Sequence, residues 1–209
     1  MRRVKFGLGG MLMLSAMAIS DNVWVIVIYL AAALFHELGH LAAARLLCIP
    51  VKEIRFEFSG VRICTDTGLT SYRQEILLSL AGPLVNLILA ALSFFAVGAE
   101  RSFGTLLSLG MELLSGGEIS VANSLGFFAL SSLIQALTNL LPVNSFDGGR
   151  ILYCLTALLW GELVADRILS VTSVASALLL WTVALYLMLR ISAGLGIYVF
   201  AACVFFSLR

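Results

Sequence analysis

Ala31-Ala32-Ala33-Leu34-Phe35-His36-Glu37-Leu38-Gly39-His40-Leu41-Ala42-Ala43 lies in the middle of a long apolar stretch, 23–47. At about 1.5 Å per residue, such a stretch can cross a bilayer as one helix. His36 and His40 are the two histidines of the chain. Four residues apart on a helix, both imidazoles project from one face and can grip one zinc ion, with Glu37 beside them as a base. Composition alone would produce such a string in on the order of 10⁻³ chains of this kind. Ionisable groups deep inside a membrane span are costly and mark function.

The rest of the sequence supports a membrane setting. Of 209 residues, 61% are hydrophobic and 12% charged, with a mean hydropathy of +1.05. Soluble domains carry about twice that share of charge, so a soluble globular domain and a disordered chain are both excluded. Six long apolar stretches can be marked off, at 6–20, 23–47, 73–98, 121–141, 165–189 and 191–208. Two shorter pieces, 103–114 and 149–160, are too brief to cross alone. The expected fold is an all-α polytopic membrane protein of about six transmembrane helices, with 1–209 as a single membrane-embedded domain. A net charge of +1 leaves no broad basic face for nucleic acid. Cys48, Cys64, Cys154 and Cys203 form no CxxC pair and are expected to be reduced and unpaired.

Basic residues set an orientation. With the N-terminus cytoplasmic, Arg2, Arg3, Lys5, Arg45, Lys52, Arg55, Arg62, Arg73, Arg150, Arg167 and Arg209 fall inside, and Arg101 and Arg190 outside. The first stretch, 6–20, also mimics a signal peptide ending in Ala16-Met17-Ala18. Its retention as a span is the expectation, and either fate leaves the second span starting outside. In the first cytoplasmic loop, Ile54-Arg55-Phe56-Glu57-Phe58 alternates, Ser59-Gly60 turns, and Val61-Arg62-Ile63 alternates again. That pattern predicts a hairpin.

A hydrolytic zinc needs a third protein ligand and one open position. With no further histidine, the ligand should be a carboxylate on another helix. Asp147 stands out, because it follows Asn139-Leu140-Leu141-Pro142 and precedes Gly148-Gly149. Pro142 ends the fourth helix, and the glycine pair lets the backbone turn back toward the bundle. The competing reading makes Asp147 the cap of the following helix, with the ligand sought among Asp66, Glu75 and Glu162.

HELGH in a span, Ala81-Gly82-Pro83-Leu84-Val85-Asn86 in the next, and Asn139-Leu140-Leu141-Pro142 with Asp147-Gly148-Gly149 resemble the site-2 protease family of intramembrane zinc metalloproteases. The compact layout looks most like the branch typified by stage IV sporulation protein FB, without that branch's CBS domain. The resemblance implies one zinc per chain held by His36, His40 and Asp147, with Glu37 as general base. It implies a membrane-embedded or membrane-associated regulatory protein as substrate, a sporulation pro-sigma factor among them, in a bacterial cell membrane. It leaves room for an inhibitory membrane partner and a homo-oligomer. Asn139 and Asn86 match family motifs and are candidate substrate-binding residues. Gly39 and Gly82 are expected to permit close helix approach.

A helical substrate shields its carbonyls, so the cut must fall in extended chain. The 54–63 hairpin, with Phe56 and Phe58, could offer an edge strand to which unwound substrate adds. Two other classes would use the same histidines: a metal transporter and a non-catalytic scaffold.

Overall fold

The computed structural model describes residues 23–49, 51–57, 60–65, 71–98, 103–114 and 117–191. In chain order they form α1 (Val23–Leu46), β1 (Val51–Glu57), β2 (Gly60–Thr65), α2 (Tyr72–Gly98), α3 (Phe103–Leu114), α4 (Val121–Asn139), α5 (Asp147–Trp160) and α6 (Glu162–Ile191). Among the described residues, four segments are long and apolar enough to cross a membrane: Val23–Leu46, Tyr72–Gly98, Val121–Asn139 and Glu162–Val183. They correspond to the four inner stretches marked in the sequence, 23–47, 73–98, 121–141 and 165–189. The outer two, 6–20 and 191–208, lie outside the described residues but for Ile191.

These helices turn apolar side chains outward as well as inward. Phe95 is 63% exposed, Val171 69% and Leu178 59%, as suits helices whose outer faces meet lipid rather than water. The inner faces carry small and polar residues instead. On α2 the buried set includes Ser79, Gly82, Pro83, Asn86 and Ser93; on α4 it includes Gly126, Ser131, Ser132 and Gln135. Small residues let membrane helices approach closely where apolar burial gives little drive.

Each short element has a local cause. α1 stops at Leu46, where Cys48 takes a left-handed φ of 53° and the Ile49 N–H closes on the Ala44 carbonyl. Ala44, Ile49 and Leu78 then pack that end of α1 onto α2. β1 and β2 pair antiparallel with Arg55 opposite Arg62 and Phe56 opposite Val61, and the register shifts between Val51 and Glu53. Residues 58–59, including Phe58, lie outside the described residues. α3 does not cross. It packs on the bundle, where Leu113 joins Val25, Tyr29 and Phe127 in one core cluster. Ser120 caps α4 by accepting from the Asn123 N–H at 3.0 Å.

The connection from α4 to α5 positions the chemistry. Helix α4 ends at Asn139, three residues before Pro142. Val143 and Phe146 then plug into Ala177 and Leu180 of α6, and the Asn144 N–H donates to Ser173 Oγ at 3.0 Å. This irregular stretch is therefore anchored. Gly148 and Gly149 press against the carbonyls of Leu140 and Val143, contacts that leave no room for a Cβ. Two polar ties hold the neighbouring helix ends: Arg150 Nε lies 3.6 Å from Glu75 Oε2, and the Tyr72 hydroxyl donates to Glu162.

Candidate metal centre

His36 and His40 lie one turn apart on α1, with ring centroids 4.8 Å apart and planes at 83°. Their Nε2 atoms approach to 3.1 Å. Asp147, on α5, brings Oδ2 to 3.2 Å from His36 Nε2 and 3.4 Å from His40 Nε2. Among the described residues these three side chains form the one group able to hold a metal ion. A fit to zinc can be tested from the edges of this triangle. Tetrahedral bonds of about 2.0–2.1 Å put neighbouring donors about 3.3–3.4 Å apart. The observed 3.1, 3.2 and 3.4 Å match that requirement closely. Two imidazoles and one carboxylate are also the donor set that a hydrolytic zinc takes.

Asp147 is the first residue of α5, and the capping position belongs to Phe146, which makes no side-chain cap. The carboxylate instead turns to the histidines, with the positive end of α5 behind it. Burial raises its pKa, but hydrogen bonds to His36 and His40, with the charge on those rings, bring it down to about 2. It is an anion throughout the physiological range. The capping alternative for Asp147 is therefore not the arrangement found.

The remaining sequence candidates divide. Glu37 follows His36 on α1 and is partly exposed. It is not one of the three converging side chains. Asn86 is wholly buried and lies behind His36, its Nδ2 3.4 Å from the ring Nδ1. Asn139 closes α4 one turn beyond Gln135, half-buried and with no side-chain hydrogen bond among the described residues. Phe56 belongs to β1, and Phe58 lies outside the described residues.

Two contacts were not singled out by the sequence, and a third gives form to the close helix approach expected at Gly82. The Leu78 carbonyl accepts from His40 Nδ1 at 2.8 Å, which fixes that ring and leaves Nε2 as the ligand atom. Gln135 Nε2 donates to the Tyr29 carbonyl at 3.2 Å and its Oε1 accepts from Asn86 at 3.3 Å. Gly82 is the third. A methyl at that position would lie 2.5 Å from His40 Nε2 and 2.7 Å from His36 Nε2. A glutamine inside an apolar span was the available signal for the second contact. A backbone carbonyl leaves no such signal.

Fold and site together define a polytopic membrane protein with a two-histidine, one-carboxylate metal centre. The sequence model of peptidase family M50 matches residues 24–183. The chain belongs to that family, whose metal is zinc. It is 34% identical over 77 residues to YwhC of Bacillus subtilis (strain 168), named a candidate zinc metalloprotease. That match covers 37% of this chain and 32% of the length of YwhC. The fold is similar to that of the site-2 protease from Methanocaldococcus jannaschii, with a TM-score of 0.64 at 20% identity. The superposition covers 95% of this chain and 86% of that one.

Proposed function

We propose that the chain is an intramembrane zinc metalloprotease that cleaves membrane-embedded or membrane-associated regulatory proteins, a bacterial pro-sigma factor being one such class. The observation that carries this reading is the convergence of His36, His40 and Asp147 at zinc-ligand spacing, with Glu37 adjacent on α1. Bound there, zinc supplies Lewis-acid polarisation of a carbonyl and a water of lowered pKa. With zinc held by these three residues, the Glu37 carboxylate would accept a proton from the attacking water and return it to the leaving nitrogen. His40, tied to the Leu78 carbonyl, keeps its Nε2 aimed at the site. The Asn139 amide donates to the substrate carbonyl. β1, which carries Phe56 and pairs antiparallel with β2, receives unwound substrate as an added strand.

The distribution of Arg and Lys supports a cytoplasmic N-terminus, with β1 and β2 on the cytoplasmic side. A transporter would need a succession of ligand groups across the spans, and among the described residues there is one.

Two measurements test this reading. Elemental analysis should find one zinc per purified chain, removed by a strong chelator and absent from a His36→Ala/His40→Ala variant. Membrane proteins trapped by an inactive chain and identified by mass spectrometry should be cut by the wild type and spared after chelation. Full zinc in the double variant, or cleavage indifferent to chelation, would overturn it.

Asp147→Asn separates ligand from cap. Asparagine caps helices almost as well as aspartate, and a lost cap costs only about 1 kcal/mol. Losing the anionic ligand instead leaves two imidazoles. The variant should fold, with wild-type helix content by circular dichroism, yet lose most of its zinc and its cleavage activity. Retention of both would return the third-ligand position to another carboxylate.

A further inference from the structure

We infer that the cavity between the α4–α5 connection and α6 is a specificity pocket, which takes a lysine or arginine side chain of the substrate within about four residues of the cut. The inference rests on the protease reading above and deepens it, from what is cut to which sequence is cut.

The pocket is walled by the same connection that ends in Asp147. The Asn144 N–H donates to Ser173 Oγ at 3.0 Å, which holds the connection against α6. Beside that tie lies a cavity of about 200 Å³, lined by Asn144, Asp166, Leu169, Ser170, Ser173 and Val174. The residues from α6 recur at steps of three and four, so they share one face of that helix. Drug-sized ligands occupy pockets of about 300–1,000 Å³. A smaller space suits one long side chain.

The lining selects the kind of side chain. Ser170 Oγ donates to the Asp166 carbonyl at 2.8 Å, and Ser173 Oγ donates to the Pro142 carbonyl at 3.5 Å. With both hydroxyl protons engaged, lone pairs are what these serines have left to offer. The Asp166 carboxylate adds acceptors and a negative charge, and among the described residues it pairs with no cation. Arg167 follows it directly, but sequence neighbours on a helix do not face each other. The Asn144 side-chain amide makes no hydrogen bond among the described residues and can present its oxygen. An ammonium or guanidinium group satisfies such a set of acceptors, whereas a carboxylate is repelled. Leu169 and Val174 supply apolar wall for the methylene stem behind the charge.

The place of the pocket agrees with its chemistry. Asn144 is three residues from Asp147, a reach of at most about 11 Å. Extended substrate advances about 3.3 Å per residue, so a side chain in the pocket belongs to a residue within about four of the scissile bond. Asp166 stands one turn inside the start of α6, the end that Glu162 ties to Tyr72 at the start of α2. In the proposed orientation this is the cytoplasmic side, where membrane-spanning chains concentrate lysine and arginine.

The test uses the full zinc-loaded chain in detergent, with solubilised bacterial membrane proteins as the probe and new chain termini read by mass spectrometry. Against a Glu37→Gln control, wild type should create termini enriched in Lys or Arg at one fixed position within four residues of the cut. The enrichment should be about three- to fivefold, the range an exposed ion pair supports. Asp166→Asn should lose it, and Asp166→Arg should exchange it for Asp or Glu at the same position. Asp166 is not one of the three converging ligands, so both variants should keep wild-type zinc. Arg167→Gln should leave the preference as it is. Wild-type termini without the enrichment would overturn the inference, and so would either Asp166 variant keeping the wild-type preference. Wild type creating no termini beyond the Glu37→Gln control would instead overturn the proposed function itself, so the two failures are distinguishable.

Discussion

Glu37→Gln should abolish turnover while leaving zinc in place. Glutamine keeps the length and hydrogen-bonding shape of the side chain but cannot take up a proton. Positioned acid–base groups contribute about 10²–10⁴-fold to rate, and the cleavage rate should fall by that factor. Zinc occupancy should stay near one per chain, because Glu37 is not one of the three converging ligands. That contrast distinguishes it from the histidines, whose loss removes metal and activity together. Glu37→Asp should fall between, since a carboxylate remains but is withdrawn by one methylene from the attacking water. The measurement is cleavage of a trapped membrane substrate by zinc-matched preparations. Glu37→Gln cleaving within tenfold of wild type at equal zinc would remove Glu37 from the mechanism.

The sequence carried much of this site, for identifiable physical reasons. HELGH is legible because spacing on a helix is fixed, so four residues in sequence are one turn in space. Asp147 is legible by elimination, since few carboxylates stand near apolar spans and Pro142 with Gly148-Gly149 announces a turn back. Whether it caps α5 or faces the metal was not legible. Moving the helix start by one residue exchanges those roles, and helix ends are the least determined feature of a sequence. The four inner spans were legible from length alone, but their facing sides were not. Helices apolar all round give no periodic stripe to say which side meets a neighbour. Hence Asn86 read as a candidate for substrate, whereas the fold buries it behind His36. Its bond to Gln135 and that residue's bond to the Tyr29 carbonyl reach 49 and 106 residues along the chain and depend on how α1, α2 and α4 meet.

Gly82→Ala should destroy the metal centre while sparing the bundle. α1 and α2 approach so closely at the site that a methyl at 82 would lie 2.5 and 2.7 Å from the two ligating nitrogens. Carbon and nitrogen do not approach within about 3 Å without bonding, so one partner must move. His40 cannot yield cheaply, because its Nδ1 is held by the Leu78 carbonyl on the same helix as Gly82. His36 is packed at 6% exposure against Asn86. The rings must then leave the positions from which both reach Asp147, and a ligand triangle widened on one edge no longer suits tetrahedral zinc. Zinc affinity should fall by at least about 100-fold, with cleavage lost in proportion. Helix propensity works in the opposite sense, since alanine stabilises a helix by about 1 kcal/mol over glycine. Helix content and elution as a folded species should therefore survive. Gly110→Ala provides the control: a methyl there meets Gly126 at 3.3 Å, away from the histidines, and should leave zinc unchanged. If Gly82→Ala bound zinc as tightly as Gly110→Ala, the close approach of α2 to the two imidazoles would not be what shapes the centre.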